Sequence, residues 1–113
     1  MTSIRVVHGE FLRDRRSAER KYLGKVLTVE AYALSAGASR YSTPIVEGAA
    51  NADGETLAVF VLPFDGRIDA SFDRLRSVQP GQRLRVSGEC RMFSEGDDVL
   101  VFKDCTLLDT AGR

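Results

Sequence analysis

A chain of 113 residues is long enough for one hydrophobic core and too short for two. Its 43% hydrophobic and 28% charged residues exclude a disordered or membrane-spanning chain and predict a packed fold. Sixteen Lys and Arg balance sixteen Asp and Glu, so no net field draws nucleic acid or an anionic membrane from a distance. The balance is uneven, because residues 1 to 40 hold eight basic and four acidic side chains. Any basic surface must therefore be local and mostly N-terminal.

Residues 1 to 8, "MTSIRVVH", show no clear period and are expected to form a short strand or a frayed lead-in. Phe11, Ala18 and Tyr22 recur at helical spacing with Arg13, Arg16, Arg20 and Lys21 on other faces, which predicts an amphipathic helix over about 11–23. Gly24 is its natural stop. After it, "KVLTVEAYALSA" alternates with period two and reads as a long first strand. "TPIVEGA" is a second strand with Pro44 at its start or on an edge, and "TLAVFVL" a third, nearly continuous in apolar character. "PFDGRIDASFDRLRSVQPGQ" is a loop around a short helix on which Phe72, Leu75 and Val78 share a face. The fourth strand, "RLRVSGECRMF", is expected to turn Leu84, Val86, Cys90 and Met92 inward and Arg83, Arg85 and Arg91 outward. "SEGDD" is a turn and "VLVFKDCTLL" the fifth strand.

Five unequal strands with a helix between the third and fourth predict a mainly β fold. The expected architecture is a five-stranded Greek-key barrel of the OB type with an N-terminal helix. It forms a single domain over 1–113, its barrel over about 24–108 and its ends flexible. An SH3-like barrel or a curled sheet is the structural alternative. Tyr22, Gly24, Lys25, Gly81, Gln82, Gly88, Cys90, Asp104 and Cys105 stand in "KYLGKVLTV", "PGQRLRVSGEC" and "DDVLVFKDC". This pattern, over residues 11 to 108, resembles the tRNA-anti-like family of small OB-fold domains. The resemblance implies the barrel and an association with nucleic acid through anticodon-binding OB domains. Where the family often has Gly after the first strand's Val-Thr-Val, this chain has Ala31, which suggests a gentler bend.

No enzyme is expected. His8 is the single histidine, expected to be exposed near the terminus, and no Cys or second His stands at ligand spacing for zinc. No phosphate loop or nucleophile elbow appears, and no metal or cofactor is expected. Glu95, Asp97 and Asp98 gather in "SEGDD" without the spacing of a calcium loop. With a four-residue turn, Ser94 faces Val99 and Cys90 faces Lys103, leaving Cys90 and Cys105 diagonal neighbours that only a bulge would bring to disulfide distance. Two states are open: a disulfide, arguing for an exported form, or two buried thiols in a reducing compartment. "MTSIRVVHGE" lacks a signal's apolar run, so a cytoplasmic protein is expected, with an exported form the alternative if a signal has been removed.

OB barrels bind on the face of strands 2 and 3, between the first-to-second and fourth-to-fifth strand loops. Tyr41, Phe60 and Phe93 are the candidate stacking residues and Arg40, Arg83, Arg85 and Arg91 the candidate phosphate contacts for single-stranded RNA or DNA. The acidic "SEGDD" loop opposes this on one wall. The alternative is a protein-interaction or assembly module with no nucleic-acid role.

Overall fold

The computed structural model describes residues 2–38, 43–63 and 75–109. Its elements are β1 (Thr2–Ser3), α1 (Ile4–Arg13), α2 (Arg15–Tyr22), β2 (Val26–Ala38), β3 (Pro44–Ala49), β4 (Ala58–Val61), β5 (Arg83–Ser94) and β6 (Val99–Asp109). Strands β2, β3 and β4 form an antiparallel meander, β4 pairs in parallel with β6, and β6 pairs antiparallel with β5. Strand β5 then returns to β2, with Val26 opposite Glu89 and Tyr32 opposite Arg83, and the sheet closes. This is the expected mainly β, OB-type barrel. Strand β2 is long because it serves both halves: residues 26–32 pair with β5 and 32–38 with β3, and the register shifts between Ala33 and Ser35. Pro44 opens β3, where its missing N–H is least costly. Beyond β4, Leu75 and Arg76 are helical, and the remainder of the short helix expected there lies outside the described residues.

The short strand expected at the N-terminus is present as β1, paired in parallel with β2 (Thr2 opposite Val29), but it leads into two helices that meet at Asp14 instead of one. Ser3 caps α1 by accepting from the Arg5 N–H at 3.2 Å, and Asp14 caps α2 by accepting from the Ser17 N–H at 3.2 Å. Ile4, Val7, His8 and Phe11 form the buried stripe of α1, Ala18 and Tyr22 that of α2. The spacing i, i+3, i+4, i+7 was present in the sequence, with a histidine inside it obscuring the period. Gly24 has φ +80° and turns the chain into β2. The core joins both layers, with Phe11 stacked on Phe93 (5.2 Å between centroids) and Phe60 against Phe102 (5.2 Å).

Strand β5 corrects a second expectation. Ser94 faces Val99 as expected, but Cys90 faces Phe102 and Glu89 takes Lys103, because the register shifts between Cys90 and Met92. Arg91 is the extra residue of a bulge. Arg91 and Met92 are consequently both exposed, Met92 at 48%, and Phe93 turns inward at 5%. A second shift lies between Ser87 and Glu89, opposite Asp104, whose φ is +52°.

Candidate binding surface

The sequence-derived site residues separate into three groups. Arg40 and Tyr41 lie outside the described residues. Phe60 is fully buried and Phe93 is buried beneath α1 and α2, so neither presents a ring for a base to stack on, and both are reassigned to the core. A solid apolar run on β4 and a bulge on β5 put them there. Arg83, half-buried, and the exposed Arg85 and Arg91 stay on the outside of β5. Arg83 stands opposite Tyr32 and Arg85 opposite Glu30. Among the described residues Tyr32 is the one aromatic ring outside the buried set.

The acidic turn between β5 and β6 is fastened to the helices. Arg15 donates from Nη1 to Glu95 Oε1 at 2.6 Å and from Nη2 to the Phe93 carbonyl at 3.0 Å, with its guanidinium 5.6 Å from the Phe93 ring centroid. Its Nε also meets Glu19 Oε2 at 3.2 Å. His8, expected to be exposed, is 7% accessible, its Nε2 2.6 Å from the Asp98 carbonyl oxygen and its ring edge-on to Phe93. Asp98 has φ +53°, a strained setting for a non-glycine residue. Glu95, one of the three carboxylates expected to repel phosphate, is thereby paired with a cation.

A second clasp joins the helices themselves. Glu10 accepts from Lys21 Nζ at 2.8 Å and from the Tyr22 hydroxyl. The Lys21 bond, then the Tyr22 bond, holds the Glu10 carboxyl below its usual range. Burial, then the bond to Glu10, pushes the Tyr22 phenol up.

Cys90 and Cys105 are buried and free. Desolvation pushes Cys90 to about 11 and Cys105 to about 12, which suppresses the reactive thiolate at neutral pH. Among the described residues no group of three His, Cys, Asp or Glu side chains is placed to hold a metal ion.

The outer face of β3 and β4, which continues onto β6 through its pairing with β4, is where an OB barrel presents its ligand surface. Here it carries Ile45 opposite Val61, Glu47 opposite Val59, and Val59 beside Val101, whose other neighbour is the exposed Met92. Ser35 donates to Glu47 at 2.6 Å at one border. Apart from Glu47, the residues named on this face are apolar.

Fold and surface together define an OB-type barrel with an N-terminal helical cap. No family model and no curated protein matches the chain. Among solved structures, it is similar to a Klebsiella pneumoniae subsp. pneumoniae MGH 78578 protein named "putative nucleic acid-binding lipoprotein". That likeness has a TM-score of 0.70 at 12% identity and covers 96% of this chain and 92% of the other. It is also similar to a "putative aspartyl-tRNA synthetase" from Leishmania major Friedlin, with a TM-score of 0.59 at 8% identity, over 98% of this chain and 21% of that one. At these identities the likeness is one of fold. Among the described residues no helix is long and apolar enough to cross a membrane.

Proposed function

We propose that the chain is a non-catalytic OB-type binding module of the tRNA-anti-like kind that engages single-stranded nucleic acid. One observation carries the reading: in a chain of zero net charge, Arg16, Arg20, Lys25 and Arg91 stand exposed with no side-chain hydrogen bond or ion pair among the described residues, while nearby carboxylates are occupied. Arg15 holds Glu19 and Glu95, Lys21 holds Glu10, and Lys103 stands 3.8 Å from Glu89. The exposed Arg91 side chain, by contrast, makes no hydrogen bond or ion pair among the described residues. The name of the Klebsiella protein, a likeness over nearly the full length of both chains, supports the same ligand class. Buried, protonated thiols and a histidine bonded to a backbone carbonyl support the absence of catalysis. Free thiols also support a reducing compartment such as the cytoplasm.

The test is fluorescence anisotropy with 5′-fluorescein-labelled dT20 and rU20 at low salt. The expected result is micromolar binding that weakens steeply as salt rises. No binding at micromolar protein overturns the reading.

A second reading, a protein-interaction module, is favoured by the aliphatic face of Ile45, Val59, Val61, Val101 and Met92, since sheet faces that stack bases normally offer aromatic rings. Under it, Val59→Glu abolishes partner capture in a pull-down while leaving oligonucleotide binding unaltered. A pull-down that recovers nucleic acid alone, or nothing, counts against it.

A further inference from the structure

We infer that the phosphate-contacting surface lies off the usual ligand face of the barrel, at the junction of α2, β2 and the β5 bulge, and consists of Arg16, Arg20, Lys25 and Arg91. The inference rests on the nucleic-acid reading above and assigns it a location.

The backbone brings the junction together. The Gly24 N–H donates to the Cys90 carbonyl at 2.9 Å and the Cys90 N–H donates to the Lys25 carbonyl at 2.9 Å, so the start of β2 is bonded to the residue before Arg91. The bulge turns Arg91 and Met92 outward together. Arg15 lays α2 against the end of β5 through its contacts with Phe93 and Glu95. Arg16 and Arg20 stand one turn apart on the face of α2 away from buried Ala18 and Tyr22. All four cations are exposed, and their side chains make no hydrogen bond or ion pair among the described residues.

Charge complementarity selects the occupant. Nearby carboxylates are occupied: Glu10 by Lys21 and Tyr22, Glu19 by Arg15, and Glu89 by Lys103 at 3.8 Å; Asp14 caps α2. What projects from the junction is therefore positive in excess, the local expression of the N-terminal surplus of basic residues. Val26, 69% exposed, and Met92, 48% exposed, lie beside Lys25 and Arg91 and offer apolar contact for sugars and bases. A strand of repeated negative charge satisfies both features, whereas an acidic side chain on a single partner residue satisfies one.

The experiment uses the full chain with labelled dT20, measuring binding across 50 to 300 mM salt for the wild type and for Arg16→Gln/Arg20→Gln/Lys25→Gln/Arg91→Gln. Each phosphate contact to a single strand contributes about 0.7 to the slope of log K against log salt, so the variant should lose about 2.8. Its affinity at 50 mM salt should fall roughly tenfold or more. Arg5→Gln, which removes one cation outside the junction, should lower the slope by less than about 0.7. A wild type that fails to bind overturns the functional reading and this surface with it. A wild type that binds, beside a folded quadruple variant with unchanged slope, overturns the surface and leaves the reading standing. If the quadruple variant unfolds, photocrosslinking of the wild type with 4-thiothymidine oligonucleotides decides. Crosslinks within 16–26 and 89–93 support the surface, and crosslinks confined to β3 and β4 refute it.

Discussion

Gly88 shows how closely the two terminal strands approach. A Cβ built there would stand 2.5 Å from the Cys105 Sγ and 3.3 Å from the Lys103 carbonyl oxygen. Flexibility is therefore not what glycine supplies at this position; the opposing strand leaves no room for a methyl group. Gly88→Ala should destabilise the barrel by about 1–3 kcal/mol through overpacking, read as a lower urea midpoint. Gly88→Ala/Cys105→Ala should recover part of the loss, because the sulfur is the nearest obstruction. A double variant no more stable than the single would mean that the Lys103 carbonyl is the true obstacle. Residue-level features of this kind were partly legible. "SGEC" predicted a strand with a small residue in it, but the identity of the neighbour depends on a register shift opposite Asp104 that no local pattern announces.

The strands were legible at the scale of elements because an antiparallel barrel with a buried interior writes period two into its sequence. Leu84, Val86, Gly88 and Cys90 all turn inward as that period requires. The rule fails at Arg91, where one extra residue exchanges the faces of Met92 and Phe93, and with them a core residue and a candidate ligand. The bulge is sustained by a tertiary cause, since Phe93 gains Phe11, His8 and the Arg15 guanidinium as neighbours. His8 and Phe11 belong to α1, whose period His8 concealed ahead of Phe11, and Arg15 opens α2. Arg15 is thus a fastener between α2 and the β5–β6 turn. Arg15→Ala should leave the barrel folded, as the ion pair with Glu95 is largely solvent-exposed and worth little by itself. It should, however, speed amide hydrogen exchange across Glu95–Val99 several-fold, because the turn then keeps one tie, from His8 to Asp98. Unchanged exchange in that turn would show that His8 alone fixes it.

Ionisation acts on the molecule as a whole. Cys90 and Cys105 ordinarily titrate near 9.0 and are raised by burial to about 11 and about 12. A raised pKa in the folded state means that the unfolded chain releases protons first, so their contribution is intact below pH 9 and is lost as pH rises above it. Tyr22, raised from 10.0 by burial and its Glu10 bond, acts in the same direction. Glu10, lowered from 4.5 chiefly by Lys21, acts at the other end, its contribution present above that value and lost on acidification. Urea unfolding at fixed ionic strength should therefore give a plateau through neutrality and a decline from pH 9 upward, of up to about 1.4 kcal/mol per pH unit per thiol. Equal midpoints at pH 8 and pH 10.5 would show that the thiols are not desolvated. The closed sheet has one further consequence. Strand β2 belongs to both halves of the barrel, through β5 at its start and β3 at its end, whereas the stretch from Asn51 to Gly54 is a turn held by its own asparagine. The polypeptide should accordingly tolerate a nick in that turn and reassemble from its two pieces, while a break inside β2 should leave two fragments that each lack the seam they share.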